Sequence, residues 1–213
     1  MKKLSTSKQM AINMVAAIVS FLIGTGINFV LAPYLVKELG SETYGFIGLA
    51  NNFVQYATIV TSALNSMSGR FISIEYSKGN IDKASRYFSS VLVADLIIAG
   101  VLLLVSSIIT FNIEFILNVP ENLVDSVKIL FALTFATFII SVITAIFTTA
   151  AFVKNKLYIN SLRDIASNTL KLLLVVILFS FFPAKVYFLA MASLASGIFL
   201  LFTYFKVKEK ILQ

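Results

Sequence analysis

Residues 9–36 read QMAINMVAAIVSFLIGTGINFVLAPYLV, without one charged side chain. As a helix rising about 1.5 Å per residue, this stretch outruns the ~30 Å hydrocarbon core of a bilayer. Five more charge-free stretches follow: Thr43 to Gly69, Leu96 to Ile113, Ile129 to Val153, Leu172 to Ala184 and Val186 to Phe205. They are continuous runs rich in Ile, Leu, Phe and Val, not the apolar/polar alternation of barrel strands. In lipid only helices and closed barrels satisfy their own backbone groups. The expected fold is therefore an all-α membrane protein, six transmembrane helices in one bundle. The spans are Ala11–Tyr34, Tyr44–Ser68, Val91–Phe111, Val127–Ala151, Ile165–Phe182 and Val186–Phe205, and residues 1–213 form a single lobe. The fifth span has the shortest charge-free core and holds Lys171, whose stem can snorkel toward an interface.

Composition agrees. The 213 residues are 59% hydrophobic and 13% charged, with a mean hydropathy of +0.94. A soluble domain carries about 25% charged residues, so too few charges remain here to cover a surface in water. With no His and no Cys, disulfides, zinc sites built on those residues, thiol nucleophiles and imidazole catalysis are excluded. There is no phosphate-binding glycine loop and no placed pair of acids. No enzyme, metal or cofactor is expected. The net charge of +7 suits basic loops against anionic headgroups rather than nucleic acid. Lys2, Lys3 and Lys8 precede the first span as in a signal peptide, but its apolar stretch is too long and lacks a small-x-small site. It is expected to be retained.

Basic residues orient the bundle. With the N-terminus inside, cytoplasmic segments hold 13 Lys and Arg and outer segments hold 3, Lys37, Lys128 and Lys185, leaving Lys171 within a span. Both termini are expected to be cytoplasmic, in the cell membrane. The first outer loop is short: Gly40 suits a helix-ending αL residue, Ser41 an N-cap and Glu42 a first helical turn. The first inner loop turns at Lys78-Gly79-Asn80, and an amphipathic run from Ile81 to Ser90 leads into the third span. Pro120 interrupts the second outer loop, and Phe181 to Lys185 make a tight turn before the last span.

Inside the spans the polar residues are informative. The second span carries Asn51, Gln55, Thr58, Ser62, Asn65 and Gly69 at alternating spacings of four and three, which puts them on one face. Repeated Asn and Gln favour the wall of a hydrated cavity over simple packing. In the first span, Asn13, Ser20, Gly24 and Asn28 follow a similar line, with Asn28 the main candidate and cavity and packing both open. In the fourth, Thr134, Thr137, Ser141, Thr144 and Thr148 are small hydroxyls that bond their own helix, so packing is expected. Ser193 and Gly197 likewise suit packing. In the fifth, Asn160, Asp164, Asn168 and Lys171 share a face. Lys171 there faces water, a carboxylate or an anionic ligand, or snorkels. Asp95 lies just inside the third span, to pair with Lys171 or Arg70 or to sit at the interface. Arg70 suits an anionic headgroup or phosphate, or a plain cytoplasmic anchor.

The first hairpin, from Tyr34-Leu-Val-Lys through Leu39-Gly40-Ser-Glu-Thr-Tyr44-Gly45 to Gly48-Leu49, resembles the opening of the polysaccharide flippases. These are the Wzx-type transporters of the MATE-like multidrug/oligosaccharidyl-lipid/polysaccharide superfamily. The inner loops Glu75 to Ala84 and Lys154-Asn155-Lys156 are similar to theirs too. The resemblance implies two six-helix lobes that face each other across a cavity and export lipid-linked polysaccharide or O-antigen intermediates by alternating access. It implies that basic and polar residues meet the lipid phosphate, here Arg70, Lys171, Asn28, Asn51 and Gln55. This chain covers only an N-terminal lobe. It is expected to be a fragment or a half-size protein, working with a missing C-terminal lobe or as a parallel homodimer. Its partners are membrane lipids and a lipid-linked sugar, not nucleic acid. The alternatives are a lobe of a cation-coupled multidrug antiporter and an inactive fragment or membrane scaffold.

Overall fold

The computed structural model describes residues 6–153 and 155–211. Among these there is no strand. Six long helices run α1 (Thr6–Leu39), α2 (Ser41–Ser77), α3 (Ile81–Phe111), α4 (Val124–Val153), α5 (Tyr158–Phe181) and α6 (Phe188–Ile211). A helical turn at Ile113–Ile116 and a 3-10 turn at Glu121–Leu123 join α3 to α4. The first four expected spans lie within these helices, which run on past the apolar stretches; the fifth overruns α5 at Phe182 and the sixth begins two residues before α6. α2 continues to Ser77, the run from Ile81 is one helix with the third span, and α5 starts at Tyr158. Helices do not stop where lipid stops, because charged residues are welcome in the turns that reach water. α1, α3, α4 and α5 are long and apolar enough to cross a membrane; the apolar part of α6, Phe188–Tyr204, is shorter. α2 falls outside that group and carries the amide-rich stripe. Of the basic residues used for orientation, Lys2, Lys3 and Lys154 lie outside the described residues.

The turns give the bundle two distinct ends. One residue, Gly40, joins α1 to α2, with φ 81° and ψ 155°. That is an extended positive-φ conformation open essentially only to Gly, not the αL turn expected from sequence. Ser41 is already helical, so the cap falls on Gly40, whose carbonyl accepts from Tyr44 N at 3.0 Å. At the opposite end, α2 closes on a Schellman motif: Asn80 N donates to Glu75 O (3.0 Å), Gly79 N to Tyr76 O (3.0 Å), and Gly79 has φ 80°. α4 ends the same way, with Asn155 at φ 53° in the glycine position, Asn155 N on Phe152 O and Lys156 N on Ala151 O. Asn is the residue that best tolerates that conformation after Gly.

α4 is the central helix, packed on α2, α3 and α6; α5 packs on α1 and α6, and α3 lies outside against α2 and α4. α1 and α2 touch each other far less than α2 and α3 do. Two apolar clusters fill the Gly40 end. One joins Phe46, Ile113, Val127, Phe131 and Phe135; the other joins Leu31, Leu35, Val175, Phe179 and Phe188. Phe131 is fully buried and meets Phe53 and Phe135 edge-on at 5.8 and 5.9 Å. Among the described residues a third cluster, with Ile72, Phe88, Ile146, Phe147 and Tyr204, holds the Gly79 end. Phe29, Leu104, Phe111 and Phe181 point outward; lipid is the solvent that such a surface needs.

Candidate functional site: a hydroxyl-walled cavity

α2, α4, α5 and α6 line a partly open cavity of about 490 Å³, within the ~300–1,000 Å³ of small-molecule sites. Its α4 wall extends from Leu130 to Thr148, about 27 Å at ~1.5 Å per residue. The hydroxyls expected to serve packing line this cavity. Each donates its hydrogen to its own helix: Thr134 to Leu130 O (2.8 Å), Thr137 to Leu133 O (2.8 Å), Ser141 to Phe138 O (2.7 Å), Thr144 to Ile140 O (2.7 Å) and Thr148 to Ala145 O (2.7 Å). Back-bonding and cavity lining are compatible, because a hydroxyl oxygen keeps acceptor capacity after its hydrogen is committed. Thr58, Ser167, Ser193 and Ser196 also line the cavity, and their hydrogens go to Val54, Ser196, Leu189 and Ser193 carbonyls. The hydroxyls of the wall therefore present acceptors, while Asn51, Asn168 and Lys171 supply its donors.

α5 supplies the charge. Asp164, Asn168 and Lys171 all line the cavity. Asp164 and Lys171 are seven residues apart, about 10 Å along the axis, and Lys171 makes no ion pair among the described residues. Arg163 stacks over the Tyr204 ring at 4.2 Å. A smaller pocket of about 340 Å³ between α1 and α5 brings Asn28, Ser20 and Gly24 to Asp164 and Asn168. Gly24 lets the two helices approach closely there, since a Cβ would lie 3.3 Å from Asn168 Nδ2 and the amide would have to shift by a few tenths of an ångström. A third pocket, about 690 Å³ and near the Gly79 end, joins Asn65, Arg70 and Asn160.

The α2 stripe thus divides. Asn51 and Thr58 line the central cavity and Asn65 the third pocket, while Gln55 and Ser62 are exposed and line none of the three. Ser62 bonds Ile59 O at 3.1 Å. At 3.6 residues per turn, a four-residue step advances the face by about 40° and a three-residue step sets it back by about 60°. Positions 51, 58 and 65 therefore lie along one edge of the stripe, 55 and 62 along the other. Asp95 makes no ion pair with Lys171, Arg70 or any other described residue. It is 2% exposed on the α3 face that also buries Ala84, Phe88 and Ala99, and its Oδ2 has no hydrogen-bond partner among the described residues.

Sequence reading missed the partners of Asn13. Its Nδ2 donates to Asn155 O (3.1 Å) and Asn155 Oδ1 (2.9 Å), and its Oδ1 accepts from Tyr158 N (3.1 Å). This clasp ties α1 to the α4–α5 turn. A second clasp closes the α2–α3 turn: Glu75, 8% exposed, accepts from Asn80 Nδ2 at 3.1 Å and pairs with Lys78 (3.5 Å) and Lys83 (3.7 Å). The Asn80 hydrogen bond, helped by the two ammonium groups, holds the Glu75 carboxyl below its ordinary range against the opposing effect of burial.

The sequence matches the family described as polysaccharide biosynthesis protein over residues 10–212. The chain belongs to that family. It is also 33% identical over 187 residues to the uncharacterized membrane protein EpsK of Bacillus subtilis (strain 168), a match that covers 88% of this chain and 37% of that protein. The chain thus spans little more than a third of the relative's length. No solved structure matches it. The polysaccharide biosynthesis family is of a transporter type rather than a catalytic one. With four strongly apolar helices, this member is a multi-pass protein of the cell membrane.

Proposed function

We propose that the chain is one lobe of a flippase that carries lipid-linked oligosaccharide or polysaccharide intermediates across the cytoplasmic membrane by alternating access. The observation that carries this reading is Lys171, an unpaired ammonium in a cavity walled by hydroxyl acceptors. A glycan brings many hydroxyl donors to such a wall, and its lipid phosphate brings the anion that an ammonium in this setting needs. Asn28, Asn51, Thr58 and Asn168 complete the polar surface. All six helices cross the membrane in this reading, with both termini and the Gly79 end in the cytoplasm, and the loosely joined α1 and α2 face a second lobe. That lobe is either a C-terminal one or a second copy of the chain.

The test is export of surface polysaccharide in a host without its own flippase, using the protein that carries this chain. Lys171→Gln should lower export by about tenfold or more, the loss expected for one charge-assisted contact, while Lys171→Arg retains most of it. Unchanged export in the Gln variant sinks the reading. Cys introduced at Ser77 should label from the cytoplasm and Cys at Ser41 from outside; labelling of both from one side removes the topology. A cation-coupled antiporter lobe is the second reading, favoured by the buried carboxyl of Asp95. Drug efflux that Asp95→Asn abolishes, with no effect on polysaccharide, selects it.

A further inference from the structure

The pocket near the Gly79 end is chemically unlike the central cavity. Its cation is Arg70, whose guanidinium is permanently charged and forked for phosphate oxygens. No carboxylate lines the pocket, and Arg70 makes no ion pair among the described residues. In the same pocket, Asn160 donates Nδ2 to Thr148 O at 3.2 Å, and its Oδ1 is buried without a partner among the described residues. A buried amide oxygen in that state calls for a donor from outside the protein. The rim is apolar and open: Ile74 is 39% and Phe152 54% exposed. A cation, an acceptor in want of a donor and an apolar rim together describe the two halves of an amphiphile.

We infer that this pocket holds the phosphate headgroup of a lipid that also bears a hydroxyl. Arg70 takes the phosphate oxygens, Asn160 Oδ1 accepts from the hydroxyl, and the acyl chains lie over Ile74 and Phe152. Phosphatidylglycerol, an anionic lipid of the bilayer, has this chemistry. The pocket, of about 690 Å³, shares Thr148 with the central cavity. The inference needs only the membrane setting, so it stands if the chain transports nothing.

The test is native mass spectrometry of the purified chain in detergent, titrated with phosphatidylglycerol and, separately, phosphatidylcholine. Wild type should retain phosphatidylglycerol preferentially. Arg70→Gln should retain it about tenfold less well, as expected for losing a charge-assisted pair, with an unchanged helical spectrum. Arg86→Gln, the same charge change on an exposed neighbour of that end, should have no effect. If the Gln variant at 70 does not fold, Arg70→Lys, which keeps the charge and loses the fork, should still weaken retention. Displacement by excess inorganic phosphate would identify free phosphate as the ligand and overturn the lipid assignment; lack of displacement supports it. Equal retention in wild type and Arg70→Gln, or equal loss in Arg70→Gln and Arg86→Gln, overturns the site.

Discussion

The two ends of the bundle are built from different materials. At the Gly40 end, aromatic rings interlock in two adjoining clusters, and Phe179 meets both Tyr34 and Phe188 edge-on at 5.8 and 5.6 Å. The linking turn there is a single glycine. At the Gly79 end one apolar cluster, which includes the edge-on Phe88–Phe147 pair at 5.7 Å, is joined by side-chain hydrogen bonds around Asn13 and Glu75 and by two Schellman turns. In lipid, burying apolar groups gives little driving force, so packing contacts and polar bonds decide where a bundle is tight. Dense ring packing is hard to open in part; a handful of hydrogen bonds at the mouth of a cavity opens more easily. The difference predicts that the Gly40 end is the rigid one and the Gly79 end the one that moves.

The largest effect should come from the rings. Phe131→Ala removes a fully buried side chain from the centre of the Gly40-end cluster. It should cost about 3 kcal/mol, the low end of the range for such truncations in soluble cores, because lipid tails are as apolar as the site. Phe147→Ala, in the cluster at the Gly79 end, should cost less if that end is the looser one. Unfolding in mixed micelles measures both. Equal losses would break the contrast between the ends.

Glycine chemistry gives the next largest difference. Gly40→Ala forces a side chain into φ 81°, ψ 155°, at a cost of about 1–3 kcal/mol. Gly79→Asn should be nearly neutral, because α4 already ends with an Asn in the equivalent place. A lower melting temperature for the Asn variant at 79 than for Gly40→Ala would reverse the ranking.

That comparison also marks how far the sequence could be read. The helices were legible because an uncharged run of Ile, Leu and Phe has few other options, and Gly40 and Gly79 were legible as turns. The backbone state of Gly40 was not, since any positive φ selects Gly. The α4 hydroxyls were legible as a face but not as a cavity wall, because back-bonded Ser and Thr suit both. The division of the α2 stripe needed the neighbours of each edge. Asn13 and Asn155 lie 142 positions apart, and no local pattern pairs two asparagines over that distance.

The Asn13 clasp should therefore be tested next. Asn13→Ala removes the three hydrogen bonds to Asn155 and Tyr158, and the long one from Gln9, and leaves Tyr158 N without its side-chain acceptor. It should cost about 1–3 kcal/mol, as for a buried polar group left unpaired. Hydrogen exchange should rise around 152–158 and stay unchanged around Gly40. A uniform rise across both ends would show that the clasp holds the whole bundle rather than one mouth of it.

The smallest effect is the pH response of the Glu75 clasp. Its carboxyl lies below the ordinary glutamate value of 4.5 when folded, chiefly through Asn80, with Lys78 and Lys83 assisting. A group depressed on folding contributes stability that is present above its unfolded value and is lost as pH falls through its folded one. The α2–α3 turn should thus be unaffected from neutral pH down to about 4.5 and loosen below it, read as faster amide exchange at residues 78–84. Asn80→Ala should shift that loosening to higher pH, because it removes the largest cause of the depression. Glu75→Gln should abolish the pH dependence and leave the turn loose throughout. The Gly40 end supplies the internal control. Its turn is set by the backbone of one glycine and its packing by rings, so exchange at residues 41–44 should stay flat over the same range. A parallel acid response there would mean that protonation loosens the bundle as a whole, and the assignment of this titration to the mouth would fail.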